Sequence, residues 1–127
     1  MAKVDRNIIL NKFGGKCAYC GCDLNGKFQI DHVISQEFFK HNIKNNFRIP
    51  LFLSHLTEID CQHIDNLMPA CASCNNYKSA FNLEAFRDEL GKMRERINKY
   101  STHYKISKRF GLIQEIEKPI VFYFETL

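Results

Sequence analysis

Long apolar runs are missing from this chain. No stretch approaches the roughly 18 apolar residues that a membrane span requires, which excludes a transmembrane helix from the expected architecture. The opening residues, MAKVDRNIIL, place charges inside the first apolar run and do not form a signal peptide. Proline is scarce, with only Pro50, Pro69 and Pro119, and there is no internal repeat, low-complexity tract or long linker. The charge balance is modest, 18 Lys/Arg against 14 Asp/Glu for a formal +4, which permits a polyanionic partner without demanding one. The expected protein is a single intracellular, cytoplasmic domain spanning all 127 residues, with 45% hydrophobic residues to build a core.

What the chain does have is six cysteines. Without a secretory signal the thiols are expected to stay reduced, and regularly paired thiols in a reducing compartment point to metal before disulfide. Cys17 and Cys20 form one C-x-x-C pair, and Cys71 and Cys74 another. Two intervening residues let both sulfurs of a pair reach one tetrahedral ion, and two pairs complete a closed four-thiolate site of the structural Zn2+ type. Residues 21–70 separate the pairs, more than a simple zinc ribbon holds, so a folded insertion over about 35–64 is expected. Cys22 and Cys61 are left over. Cys22 can compete with Cys20 for the ion and Cys61 can join His63 in a second site, although such residues more often serve as small core hydrophobes.

Local patterns outline the elements. Asp5 can cap a short helix to about Phe13, closed by Gly14-Gly15. Asn25-Gly26 marks a turn. Phe28–Ile34 alternates like a strand. Phe38, Phe39, Phe47, Ile49, Leu51, Phe52, Leu53 and Leu56 make the insertion too apolar for an open loop. Asn66–Ala70 reads as a short extended piece leading to a helix through Lys78. Asn82 can cap a further helix with Leu83, Phe86, Leu90, Met93 and Ile97 on one stripe. Tyr104–Phe110 suggests another helix, ended by Gly111, and Ile120–Phe124 a terminal strand.

Between and beside the cysteine pairs stand Asp31-His32, Asn66, Asn75 directly after Cys74, and Lys78. The ordered set Cys17-Ala18-Tyr19-Cys20-Gly21, Ile30-Asp31-His32-Val33-Ile34, Asp65-Asn66-Leu67 and Cys71-x-x-Cys74-Asn75-x-x-Lys78 resembles the HNH endonuclease family over roughly residues 17–80, about half the chain. The resemblance implies a ββα-metal (His-Me finger) core; joined to the structural zinc knuckles and the local patterns above, the expected fold is α+β with flanking helices, a helical extension over about 82–127 and the C-terminal strand. It implies a DNA endonuclease in which His32 is the general base, Asp31 and Asn75 hold a catalytic Mg2+ or Mn2+, and Asn66 braces the loop between the strands. The last family position is often histidine, and here it is Asn75.

The chemistry is consistent with those assignments. Neutral histidine can accept a proton from water near pH 7. Carboxylate and amide oxygens suit a hard dication, and an ion with open positions can stabilise a departing alkoxide. A strand sends Asp31 and His32 to opposite faces. Lys78, at i+3 from Asn75, is a candidate phosphate contact. Lys92, Arg94, Arg96, Lys99, Lys105, Lys108 and Arg109 can neutralise phosphates of duplex DNA, though interleaved acids also fit a solvated helix. No separate DNA-reading module is visible, so specificity is expected to be weak or supplied by a homodimer or accessory protein. The competing expectation is a non-catalytic zinc-stabilised module that binds nucleic acid or another protein.

Overall fold

The computed structural model describes residues 4–42 and 49–127. The fold is α+β: a two-stranded antiparallel sheet, six short helices and a cysteine cluster among the described residues. Asp5 caps α1 (Arg6–Leu10) by accepting from the Asn7 amide at 2.9 Å. A 3-10 turn (Asn11–Phe13) continues it and ends at Gly14, whose φ of 66° lies in the left-handed region open to glycine. Asn25 and Gly26 both carry positive φ, 51° and 77°, as the turn signal predicts.

Strand β1 (Gln29–His32) pairs with β2 (Leu67–Ala70) in the register Gln29 to Ala70, Ile30 to Pro69, Asp31 to Met68 and His32 to Leu67. All four residues of β2 are buried. A pair of four-residue strands is marginal in isolation and needs cover from other elements. Helix α3 (Ala72–Lys78) supplies part of that cover and begins directly after β2, with Cys71 at its N-cap.

Part of the insertion, residues 35–42 and 49–64, lies within the described residues. Ser35 caps α2 (Gln36–Asn42) through a bond from the Phe38 amide, and a 3-10 turn spans Leu51–Leu53. Phe39, Leu53 and Leu56 enter the core, and Phe38 and Ile49 pack against it, whereas Leu51 and Phe52 are exposed. Phe47 lies outside the described residues.

Two expectations need correction. The stripe starting at Leu83 does not form one helix. It divides into α4 (Leu83–Gly91) and α5 (Met93–Tyr100), because at Lys92 the amide reaches back three residues to Glu89. Leu83 and Phe86 are buried, but the stripe has risen to the surface by Ile97, so packing no longer enforces continuity. The terminal strand is absent: Phe122 precedes a 3-10 turn (Tyr123–Thr126). The Tyr123 and Phe124 amides instead donate to the carbonyls of Tyr19 and Ala18 in the first knuckle. Phe122 stacks on Phe86 and meets Tyr19 edge to face, so aromatic burial fixes this segment where a sheet edge was expected. Arg87 holds it from outside, bonding the Ile120 carbonyl and Glu125 while lying over the Phe122 ring.

Helix α6 (Thr102–Arg109) follows the Ser101 cap, and Gly111 stands just beyond it. The chain then returns along α5 and α6, held by Glu115. Asn98 and the Tyr104 hydroxyl donate to Glu115 at 2.6 and 2.8 Å, and Lys108 lies 3.1 Å away. These bonds hold the Glu115 carboxyl at about 2, below the ordinary glutamate value. A depressed folded value gives stability that is present above the unfolded value of about 4.3 and lost as pH falls through the folded one. The returning segment is therefore expected to loosen between about pH 4.3 and about pH 2. A carboxyl-carbon NMR titration checks this, and Glu115→Gln is expected to remove that part of the pH dependence.

Candidate metal centre and histidine site

The two cysteine pairs converge. The first knuckle follows α1, and the second opens α3 at the end of β2. The first knuckle is joined to β2, just ahead of the second, where the Ala18 amide donates to the Pro69 carbonyl at 2.8 Å. The Sγ atoms of Cys17, Cys20, Cys71 and Cys74 all lie within 4.8 Å of one another, and Cys20 and Cys71 are 3.9 Å apart. Four sulfurs bound at about 2.3 Å to a tetrahedral Zn2+ stand about 3.8 Å from each other, so this donor set fits that ion. Burial grades across the cluster, from Cys17 inside to Cys20 at the surface. A bond from the Cys74 thiol holds Cys17 down at about 4, while the same bond and burial push Cys74 up. Thiols crowded in this way favour a shared negative charge, which a cation relieves.

Cys22 stands beside this cluster: hydrogen bonding with Cys20, then burial, pushes its thiol up to about 12. Cys61 takes the other reading offered for it, as a half-buried residue packed on the core.

Asn66 is fully buried and braces the loop. Its Oδ1 accepts from the Ile34 amide at 2.8 Å, its Nδ2 donates to the Ile34 and Cys61 carbonyls, and its own carbonyl accepts from Val33. The segment leaving His32 is thereby fixed to the turn entering β2.

Strand alternation divides the remaining residues between two faces. Gln29 and Asp31 share one face, and α3 meets it: the Asn75 amide donates to Gln29 Oε1, and Lys78 lies 3.1 Å from Asp31 Oδ2. The Tyr19 hydroxyl donates to that same Asp31 oxygen, and Lys78 also donates to the His32 carbonyl at 2.9 Å. Burial pushes Asp31 up from the usual carboxylate value, against the opposing pull of Lys78 and Tyr19. Burial, followed by the Asp31 charge, also pushes Tyr19 well above the ordinary tyrosine value. The His32 ring turns the other way, and its Nε2 meets Gln62 Oε1 at 3.2 Å.

This geometry bears on two expectations. Lys78 is not offered to a phosphate: it is 0% exposed, with its ammonium against Asp31. Asp31 and Asn75 are brought to the same interface, but they do not fit a hard dication as arranged. The Lys78 ammonium already occupies the cation's place beside the carboxylate. Lys92, Arg94, Arg96 and Lys108 face carboxylates of the same chain, through Asp88, Glu117, Glu89 and Glu115. Such exposed pairs are weak and screened by solvent, so a phosphate can compete for these cations.

Gln29, Tyr19 and Gln62 were not foreseen as partners of the site. Gln29 was within reach of sequence reasoning: residues 29 and 31 are two apart on a strand, and 75 and 78 are three apart on a helix, so the two pairs can face each other. Tyr19 and Gln62 carry no such local signal.

Among the described residues no helix is long and apolar enough to cross a membrane. Comparison with protein-family models, curated proteins and solved structures returns no match.

Proposed function

We propose that the chain is an HNH-type endonuclease that hydrolyses phosphodiester bonds in DNA, with Zn2+ held by Cys17, Cys20, Cys71 and Cys74 as a structural ion. The observation that carries this reading is the assembly of β1, β2 and α3 into one ββα unit beside the thiolate cluster, with Asn66 bridging the segments that leave His32 and enter β2. His32 is the proposed base. With Gln62 Oε1 accepting from Nε2–H, Nδ1 carries the lone pair that takes the proton from an attacking water. Asn66 acts as a positioning residue, through the backbone after His32. The resemblance assigns Mg2+ or Mn2+ to Asp31 and Asn75. Because Lys78 and Tyr19 hold the Asp31 carboxylate, no step is routed through such an ion.

The test is nicking of supercoiled plasmid by zinc-loaded protein, with and without Mg2+ or Mn2+, beside His32→Ala. Loss of a general base is expected to lower cleavage by about 10²–10⁴-fold. Asp31→Asn separates the two parts of the assignment. Cleavage that survives it removes Asp31 from metal binding while leaving the nuclease reading intact.

A second reading has a specific observation in its favour. The buried Tyr19–Asp31–Lys78 group serves a structural role, and it would do so equally in a zinc-stapled module that only binds DNA or protein. That reading requires folded wild-type protein to cut DNA under none of these metal conditions, with retention of duplex DNA marking the DNA-binding form and its absence the protein-binding form.

A further inference from the structure

The segment between the knuckles carries a second convergence of donors, which neither reading above uses. His55, His63 and Asp65 each offer one ligand atom, and these atoms all lie within 4.8 Å of one another. His55 Nε2 is 2.8 Å from Asp65 Oδ2, and His63 Nδ1 is 3.7 Å from the same oxygen. The two rings meet edge to face with centroids 5.6 Å apart. Nitrogen and oxygen ligands at about 2.0–2.1 Å on a tetrahedral zinc stand roughly 3.3 Å from each other. The two measured separations bracket that value, so small side-chain rotations close the set around an ion.

The surroundings fit a bound cation. All three side chains are partly open to solvent, which gives an ion access and leaves room for water to complete its shell. Asp60 adds negative charge close to both rings, and its own carboxyl is held below the ordinary value chiefly by bonds from Thr57. Lys12 opposes this from behind, where its ammonium is fixed on the Ile64 and Leu67 carbonyls. His63 Nδ1 accepts from the Asp65 amide at 3.0 Å, a bond that an ion would replace and that water can take over at this partly open turn.

We propose that His55, His63 and Asp65 form a second transition-metal site, suited to Zn2+ and separate from the thiolate cluster. Two imidazoles and one carboxylate favour a borderline ion such as Zn2+ or Co2+ over Mg2+ or Ca2+. The ion ties the segment after the Leu51–Leu53 turn to the Ile64–Asn66 turn. Gln62, which meets His32, and Asn66, which braces Ile34, lie at its two sides. Metal bound here therefore stiffens the support of His32 from outside the ββα unit. The proposal does not depend on the nuclease reading.

The experiment starts from full-length protein with its thiolate cluster loaded and titrates in Zn2+, then Co2+ in a parallel sample. About one further equivalent is expected, from a single three-ligand site. Co2+ there should give visible bands without growth of the near-ultraviolet thiolate charge-transfer band. His55→Ala and His63→Ala are each expected to lose the second equivalent and keep the first. In wild-type protein, nitrogen-detected NMR should show the His55 and His63 imidazoles moving on the second equivalent while His32 and His103 move less. The proposal is overturned if wild type saturates at the thiolate cluster alone, if the second equivalent persists without both histidines, or if other imidazoles move in their place.

Discussion

Stripping metal from the thiolate cluster is expected to abolish cooperative unfolding altogether. A structural zinc in a small domain carries about 10–16 kcal/mol of apparent binding free energy, while a whole domain is stable by only about 5–15 kcal/mol. An ion held by these four cysteines would act on several parts of the fold at once. Its sheet has two four-residue strands, and the first knuckle is joined to β2 through the Ala18 amide on the Pro69 carbonyl. The same knuckle carries Tyr19, around which Phe86, Phe122 and Phe124 pack, and its carbonyls anchor the C-terminal segment. Losing the ion therefore loosens the sheet, the aromatic cluster and the C-terminal turn together. Thermal denaturation followed by far-ultraviolet circular dichroism, with zinc and after chelation, checks this. Cys17→Ser and Cys74→Ser should behave like the chelated protein, whereas Cys61→Ser should melt cooperatively with zinc bound. An unchanged melt in metal-free protein would remove the cluster from any structural role.

Much of this cluster was legible because ligand spacing is a covalent property. Two residues between thiols bring both to one centre whatever surrounds them, so the cysteine pairs could be read without knowing the fold. Asn66 was legible only through the resemblance, which implies a bracing role; by itself a short amide between two elements reads equally well as a turn residue. The C-terminal segment misled because Ile120–Phe124 has strand-forming residues, yet edge pairing depends on which partner is free. The aromatic faces of Tyr19 and Phe86 capture the segment before any sheet does. The helix break at Lys92 escaped notice because a stripe of apolar residues states a preference, and the stripe loses its packing partner beyond Leu90. Lys78 misled most. A lysine in the last turn of a helix reads as solvated, and only the position of Asp31 on the facing strand turns it inward.

That inversion carries the second large prediction: Lys78→Met should destabilise the protein by about 3–5 kcal/mol at neutral pH. The cost comes from what the substitution leaves behind. Lys78 is 0% exposed and Asp31 only 5%. Removing the ammonium strands a carboxylate whose remaining named partner is the Tyr19 hydroxyl. Burial already pushes Asp31 up with Lys78 in place, and without Lys78 it must rise further. A carboxyl raised on folding is best tolerated when protonated in both states. Stability is then lost as pH rises from the unfolded aspartate value of about 3.9 to the raised folded value, and stays low above it. The deficit of Lys78→Met should therefore shrink as pH falls from 7 toward 4, which urea denaturation at several pH values measures. The double variant Asp31→Asn with Lys78→Met should recover much of the loss, because no buried charge remains and the Tyr19 hydroxyl keeps an amide partner. If Lys78→Met proves near neutral at pH 7, the pair is not the buried support described here. Asp31 would then be free to take a cation, and the metal assignment that this geometry argues against would regain its physical basis.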